Sequence, residues 1–253
     1  MITDKLWFKL LMAGILLVIV GVLFVFSWLS YRKKNVSPVK FVAVTGIFGA
    51  LAAILYCVPI FTFKLPFLPS FLTIHLDEIP IIIVGFMYGP LSSIMVTLIK
   101  TLIKLPMSTT ACVGELGDFV FTLVFVLPCA ILYEKRRKLS SVFIGFGASF
   151  VLQIVIAMIV NVYVMIPFYS FFYHVSKEKI LGWCQAVNPS IKDVGWSYAF
   201  FAVLPMNAIK NGIVIAATLL LYKRLHILID RIGTQHHGPK LEPETIEENK
   251  EEE

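Results

Sequence analysis

The sequence predicts an all-α membrane protein. Of its 253 residues, 58% are hydrophobic and only 15% are charged, and the mean hydropathy is +0.85. Soluble domains are roughly 45–50% apolar and about 25% charged. Apolar runs of about 20 residues, the length that crosses a bilayer, recur along the chain. No large soluble domain fits beside them, so the sequence favours one membrane domain.

Seven apolar segments are predicted to span the membrane. The first is too long for the ~7–15-residue apolar region of a secretory signal, and we expect it to be retained. The third and fourth are short and are joined by Gly89-Pro90, a helix-breaking pair. Short helices are tolerated at membrane depth where the protein buries them or where they line a cavity. The seven segments are residues 6–29, 41–60, 77–89, 91–105, 115–133, 141–168 and 197–222.

Basic residues predict the orientation of these helices. Lys and Arg cluster in the loops 31–40, 134–140 and 223–231, which share one side of a seven-helix arrangement. Because cytoplasmic loops carry an excess of Lys and Arg, we expect the N-terminus outside and the C-terminus inside the plasma membrane. The net charge of +6 is then explained by anionic lipid head groups and does not indicate nucleic-acid binding.

Four polar residues lie within otherwise apolar helices. Asn207 and Lys210 are three residues apart and share a helix face, Asn211 adjoins that face, and Asn161 lies on the preceding long segment. Such groups persist in a bilayer mainly when they face a partner, a cavity or a ligand. An interhelical hydrogen bond or a lysine–acid pair is one interpretation. The other is contact with a planar, polar heterocycle.

Acidic residues stand at two predicted helix starts. For Asp77-Glu78 the favoured interpretation is a helix cap, because acids stabilise a helix N-terminus. Glu115 also fits a helix start, whereas Asp118 lies one turn deeper. Lys100 and Lys104 share one face of the preceding helix. They either reach outward or neutralise Glu115 or Asp118, and pairing is favoured.

The loop 61–76 is too apolar and aromatic for an ordinary solvated loop. It either covers a pocket as a lid or lies in the membrane interface as part of an aromatic belt. The second span carries the small-residue pairs Gly46/Ala50 and Gly49/Ala53, which permit close helix approach. That approach serves internal packing or a partner helix.

Several function classes lack their sequence signatures. The chain has no nucleotide-binding Gly-rich motif of the Walker type, no His-Glu-x-x-His zinc motif and no visible nucleophile–base pair. The four cysteines form no C-x-x-C pair, so we expect buried apolar thiols, with a Cys112–Cys184 disulfide as the alternative. An enzyme working through Lys210 with Glu115 or Asp118, or an assembly scaffold, is the least favoured function.

From about Val39 to Leu225 the chain resembles the S components of energy-coupling factor (ECF) vitamin transporters, and within them the riboflavin-specific members. Several motifs occur in the family's order. They are residues 67–72 (FLPSFL), 77–80 (DEIP), 85–91 (GFMYGPL), 113–119 (VGELGDF), 161–169 (NVYVMIPFY) and 204–212 (LPMNAIKNG).

The resemblance implies a six-helix core that is not an enzyme and needs no cofactor. It implies binding of riboflavin or a related flavin from outside, and association with a transmembrane coupling subunit and two cytoplasmic ATPases. Gly46, Ala50 and Ala53 match the family's contact with the coupling subunit. The resemblance also makes eight residues candidates for substrate binding: Asn161, Asn207 and Lys210 at the isoalloxazine ring, and Leu68, Phe71, Glu115, Asp118 and Tyr169 within the matched motifs.

The chain departs from the family pattern in three places. The helix 6–29 is additional, the glycine-rich stretch before Glu115 is replaced by residues 109–113 (TTACV), and Asp118 stands where asparagine is expected. Another vitamin, or a flavin-exporting role, therefore remains an alternative. The expected organisation is an extra helix and basic linker over 1–38, a membrane core over 39–225, and a disordered acidic tail over 226–253.

Overall fold

The structure is a computed structural model. It describes residues 21–22, 24–25, 27–29, 31–32, 37–69, 72–108, 112–172 and 174–235. Most of the predicted span 6–29, the candidate residue Phe71 and the last part of the acidic tail lie outside these ranges.

The described chain is helical, with a single isolated antiparallel bridge in the long loop. Single 3₁₀ turns follow α1 and α3, and two π-helical segments, Asn161–Met165 and Ala199–Val203, join α5 to α6 and α8 to α9. The helices are α1 (Pro38–Cys57), α2 (Glu78–Tyr88), α3 (Pro90–Lys104), α4 (Val113–Lys135), α5 (Leu139–Val160), α6 (Ile166–Phe172), α7 (Lys177–Gln185), α8 (Trp196–Tyr198) and α9 (Leu204–Gln235).

Five described helical stretches are long and apolar enough to cross a membrane: Pro38–Cys57, Pro90–Met107, Val113–Lys135, Leu139–Phe171 and Trp196–Arg224. Together with the shorter α2 they correspond, in order, to the predicted segments from 41–60 to 197–222. The predicted total of seven depends on residues 6–29. Helix α9 continues to Gln235, past residue 226 where the disordered tail was predicted to begin.

Helix α2 is the centre of the bundle and packs against α1, α3, α4 and α9. With 11 residues it is about 16 Å long at 1.5 Å per residue, too short for a bilayer core of about 30 Å. Every residue of α2 except Ile79 is buried, so other helices rather than lipid surround it. The predicted shortness of this segment is thus explained by its central position.

A tight turn brings α3 back along α2. Gly89 has φ 91°, a left-handed conformation that glycine adopts without strain. Pro90 follows as the first residue of α3, where its missing N–H costs nothing. The Ser92 hydroxyl oxygen lies 2.9 and 2.6 Å from the carbonyl oxygens of Val84 and Gly89, and its one O–H is shared between these two acceptors at the turn.

Each π-helical segment ends close to a proline. Pro167 follows the segment Asn161–Met165, and Pro205 follows Ala199–Val203. A proline ring clashes with the carbonyl four residues earlier, and in both cases that residue, Tyr163 or Phe201, lies inside the π segment. Each proline is therefore accommodated by a π-helical bulge, a feature frequent at functional sites.

One expectation about an individual residue is wrong, and one alternative is excluded. Ala53 shares its helix face with Gly46 and Ala50 but is only 4% exposed, because that face is covered by the protein near the end of α1. It is therefore unavailable to a partner, whereas Gly46 and Ala50 are exposed. The alternative disulfide is absent as well: Cys112 and Cys184, like the other two cysteines, are free thiols.

Candidate functional site

A cavity of about 800 Å³ lies at the end of the bundle where α1 finishes and α4 begins. Ligand pockets commonly have volumes of about 300–1,000 Å³. Of the clustered basic residues, Lys135 ends α4 at the opposite side of the bundle, and Lys223 lies several turns beyond Asn207 on α9. We call the end that contains the cavity the cavity end.

The loop between α1 and α2 folds back on itself over this cavity. Backbone hydrogen bonds of 2.9 Å in both directions pair Phe63 with Ile74. Thr62, Lys64, Leu72 and Thr73 of this loop line the cavity, whereas its aromatic residues Phe61, Phe63 and Phe67 are exposed. The loop therefore forms part of the cavity wall and also carries the exposed aromatic rings expected of an interfacial belt.

Five of the eight predicted substrate-binding residues line the cavity. They are Glu115, Asp118, Asn161, Tyr169 and Asn207. Leu68 is buried beneath the loop and borders a neighbouring groove instead. Lys210 is 6% exposed and does not line the cavity: its ammonium forms an ion pair with Glu78.

The two asparagines approach the cavity from different helices. Asn161 begins a π-helical segment, and its side-chain N–H donates to the Ala157 carbonyl at 2.9 Å. Asn207 lies one turn into α9 and donates to the Val203 carbonyl at 2.8 Å. An asparagine amide has two N–H donors and an acceptor oxygen, so each side chain keeps hydrogen-bonding capacity beyond its backbone bond.

The acids at the start of α2 do not act as a helix cap. Asp77 makes no capping hydrogen bond, and Asp77 and Glu78 are 1% and 0% exposed. Asp77 pairs with Lys100, and Glu78 pairs with Lys210. The cap interpretation is wrong because α2 starts inside the bundle, where a buried carboxylate requires a cation.

Lys100 also binds Asp118, at the cavity wall. Its Nζ lies 2.8 Å from Asp118 Oδ2 and 3.0 Å from Thr122 Oγ1. With Asp77 as the third acceptor, all three ammonium donors are used. The predicted pairing of Lys100 with Asp118 is confirmed. The second partner, Asp77, was not anticipated, because an acid directly before a helix also fits a cap.

Glu115 and Lys104 have separate contacts at the cavity end. The Ser108 hydroxyl donates to Glu115 Oε2 at 2.7 Å and accepts from the Cys112 backbone N–H at 2.9 Å. Cys112 has φ 66°, and this left-handed backbone lies within the stretch where the resembled family has glycines. Lys104 Nζ lies 5.3 Å from the centre of the Tyr56 ring, a cation–π contact.

His75 links the loop to the same wall. Its ring packs edge-on against Tyr56 with centroids 4.9 Å apart, and its two nitrogens lie 3.4 and 3.0 Å from the hydroxyls of Thr62 and Thr73. Burial lowers the pKa of His75, and this outweighs the nearby Asp77 and Asp118, which raise it. The ring is therefore neutral at neutral pH and serves as a hydrogen-bonding group of the wall.

Sequence reasoning missed several wall residues. Tyr56 and His75 line the cavity without having been predicted to do so, and Lys104, which was expected to reach outward or to pair with an acid, lines it too. The apolar part of the wall includes Phe121, Met165 and Met206, which no pattern distinguishes from ordinary core residues. Within the described ranges, no three His, Cys, Asp or Glu side chains are grouped so that they could hold a metal ion.

Comparison with known proteins points to one family. A model described as "ECF transporter, substrate-specific component" matches residues 40–222. The riboflavin transporter RibU of Staphylococcus aureus is 26% identical over 201 residues, covering 79% of this chain and 98% of that protein. The riboflavin transporter FmnP of Bacillus subtilis is 24% identical over 194 residues, covering 75% and 95%.

A solved structure has the same fold. It is described as the S component of a bacterial ECF transporter, and it superimposes with a TM-score of 0.61 at 23% identity. The match covers 77% of this chain and 100% of that one. The family match begins in α1 and ends within α9, so it includes every described helix that contributes to the cavity.

Proposed function

We propose that this chain, which belongs to the family of substrate-specific components of ECF transporters, is a flavin-binding member. Its ligand is riboflavin or a closely related flavin, and the binding site is the cavity described above. Members of this family are transporter components and not enzymes. The observation that carries the proposal is that Asn161 and Asn207 reach one cavity from two different helices.

The chemistry of the cavity suits a flavin. The isoalloxazine ring is flat and apolar on its faces, with carbonyls, ring nitrogens and one N–H along its edge. The amides of Asn161 and Asn207 offer donors and acceptors to that edge. Phe121, Met165 and Met206 supply apolar surface for its faces, the composition that ligand pockets commonly show.

The remaining wall residues suit the hydroxylated ribityl chain. Glu115, Asp118, Thr62 and Thr73 place acceptors and hydroxyls around the cavity, and Tyr169 adds a phenol. We propose that Lys210 also contributes. Its ammonium has three donors, Glu78 is its ion-pair partner, and it lies one turn from Asn207 on α9.

Similarity to the riboflavin transporters supports the same substrate. The riboflavin transporters of Staphylococcus aureus and Bacillus subtilis align with this chain over almost their whole length. We propose that the cavity end faces outward and the basic end inward, which places the N-terminus outside and the C-terminus inside. The distribution of Lys and Arg between the two ends supports this orientation.

Small-molecule mass spectrometry of protein purified in detergent tests the substrate. We expect riboflavin to co-purify at about one molecule per chain, because the cavity has room for one such ligand. Competition between labelled riboflavin and unlabelled vitamins then ranks the alternatives. Displacement by another vitamin at lower concentration than by riboflavin would show that the substrate is different, and the absence of any bound flavin would refute the proposal.

A second proposal concerns partners. As a member of this family the chain works with an ECF module, and we propose that this module consists of a transmembrane coupling subunit and two ATPases. We propose that α1 contacts the coupling subunit through Gly46 and Ala50. Both residues are exposed beside exposed Val42 and Ile47, and small residues allow close approach of a partner helix.

The double substitution Gly46→Leu, Ala50→Leu is expected to abolish co-purification with the coupling subunit while leaving riboflavin binding unchanged. A Cβ atom added at Gly46 meets no atom of the described residues within 4 Å, and Ala50 is exposed, so we expect the fold to tolerate the change and the partner to be obstructed. Gly147→Leu on α5 is the matched control, since that glycine is equally open. Normal assembly of the double variant would exclude this face.

A further inference from the structure

Three buried amides form a chain behind the cavity wall. Gln153 on α5 is 0% exposed, and Asn207 and Asn211 on α9 are 2% and 0% exposed. The Gln153 Nε2 donates to Asn207 Oδ1 at 2.8 Å, and Asn211 Nδ2 donates to Gln153 Oε1 at 2.8 Å. Of the three, only Asn207 lines the cavity.

A backbone carbonyl determines which end of each amide donates and which accepts. Val203, the last residue of a π-helical segment, accepts from Asn207 at 2.8 Å. A carbonyl can only accept, so Asn207 must turn its nitrogen toward Val203 and its oxygen toward Gln153. Gln153 must then present its nitrogen to Asn207 and its oxygen to Asn211. Each amide orientation follows from the one before it.

The last amide of this hydrogen-bonded series, Asn211, is left with an unsatisfied oxygen. Asn211 Oδ1 is buried and accepts no hydrogen bond from the described residues. An unsatisfied buried acceptor costs about 1–3 kcal/mol. Reversing all three amides would instead turn the Asn207 oxygen toward the Val203 carbonyl, which cannot donate. The orientation that leaves Asn211 unsatisfied is therefore the one that keeps Asn207 fixed.

We propose that Gln153 is a positioning residue that determines specificity: its hydrogen bond to the Asn207 oxygen holds the Asn207 amide in the orientation that the Val203 carbonyl sets. This inference rests on the proposed flavin site. With one N–H committed to Val203 and one lone pair committed to Gln153, Asn207 presents one remaining N–H and one remaining lone pair. That donor–acceptor pair matches a heterocycle edge that carries an N–H beside a carbonyl, as the imide edge of isoalloxazine does.

The test compares riboflavin with 3-methylriboflavin, which lacks the imide N–H, by fluorescence titration of the purified full chain. Wild type is expected to prefer riboflavin. In Gln153→Met, riboflavin affinity is expected to fall about fivefold to tenfold, the value of roughly one hydrogen bond. The affinity for the methylated analogue is expected to change little, so the preference of the protein for riboflavin over 3-methylriboflavin becomes smaller. Leu152→Met is the matched control, because Leu152 is an exposed neighbour on the same helix.

The possible results distinguish a failure of the proposed flavin site from a failure of the proposed role of Gln153. If wild type binds no flavin, the proposed function fails and this inference fails with it. If wild type binds and Gln153→Met leaves both affinities unchanged, or weakens both by one factor, then Gln153 has no role in specificity while the flavin site stands. If Gln153→Met does not fold, Asn211→Ala is tested instead, because it removes the hydrogen bond from Asn211 to Gln153. We then expect the ratio of the two affinities, riboflavin over 3-methylriboflavin, to fall about twofold. An unchanged preference in Asn211→Ala would overturn the inference.

Discussion

Lys100→Met is expected to destabilise the protein by about 3–5 kcal/mol, the cost of removing one partner from a buried ion pair. The substitution leaves Asp77 and Asp118 close together without their shared cation, one of them buried and the other at the cavity wall. Since native domains are stable by only about 5–15 kcal/mol, this loss is a large share of the total stability, and the melting temperature should fall well below that of wild type. The melting temperature in detergent and the yield of monodisperse protein measure this effect.

Lys104→Met is the matched control for this prediction. Lys104 lies one turn along the same helix, and its ammonium contacts the Tyr56 ring. The loss of this cation–π contact should cost about 1 kcal/mol or less. The triple variant Asp77→Asn, Lys100→Met, Asp118→Asn should recover most of the lost stability, because neutralising every member removes the unpaired charges. Equal melting temperatures for Lys100→Met and Lys104→Met would show that the ion-pair cluster is not structural.

Lys210→Met is expected to weaken riboflavin binding by roughly tenfold to hundredfold, the value of a hydrogen bond from a charged group. It should also destabilise the fold, since Glu78 is left buried without a cation. The double variant Glu78→Gln, Lys210→Met separates these two effects. It should melt close to wild type, because no unpaired charge remains, yet still bind riboflavin weakly.

Glu78→Gln alone is the control, because it keeps the ammonium and removes only its partner. We expect it to retain most riboflavin binding in a fluorescence titration. If the double variant recovers both melting temperature and wild-type affinity, Lys210 is only the counter-ion of Glu78 and makes no contact with the ligand.

Much of the architecture was predictable because bilayer physics constrains the sequence strongly. Long apolar runs located the spanning helices, and Gly89-Pro90 located the turn between α2 and α3. The same reasoning picked out Asn161 and Asn207, since amides in apolar helices need partners. Both do line the cavity.

Pairing between distant side chains was not predictable from a one-dimensional pattern. Asp77 looked like a helix cap because its position relative to α2 is visible in the sequence, whereas the position of Lys100 beside it is not. Gln153 gave no signal, since one glutamine in a long apolar helix does not reveal which neighbour it meets. Its partners lie 54 and 58 residues away along the chain.

Ala53 illustrates a further limit. Its spacing from Gly46 and Ala50 correctly indicated a shared helix face, but spacing carries no information about what covers that face along its length. The loop between α1 and α2 is a similar case, because its composition fitted both a cavity wall and an interfacial belt. The structure places part of that loop in the cavity wall, while the interfacial role of its exposed aromatic rings stays a prediction.

The most direct test of a flavin site formed by Asn161 and Asn207 is the quenching of riboflavin fluorescence on titration with flavin-free purified protein. Wild type should bind one riboflavin per chain. The double variant Asn161→Ala, Asn207→Ala should bind roughly tenfold to hundredfold more weakly, as the loss of two hydrogen bonds implies, with a comparable melting temperature. Equally tight binding by wild type and the double variant, or no quenching by wild type, would contradict a flavin site at these two residues.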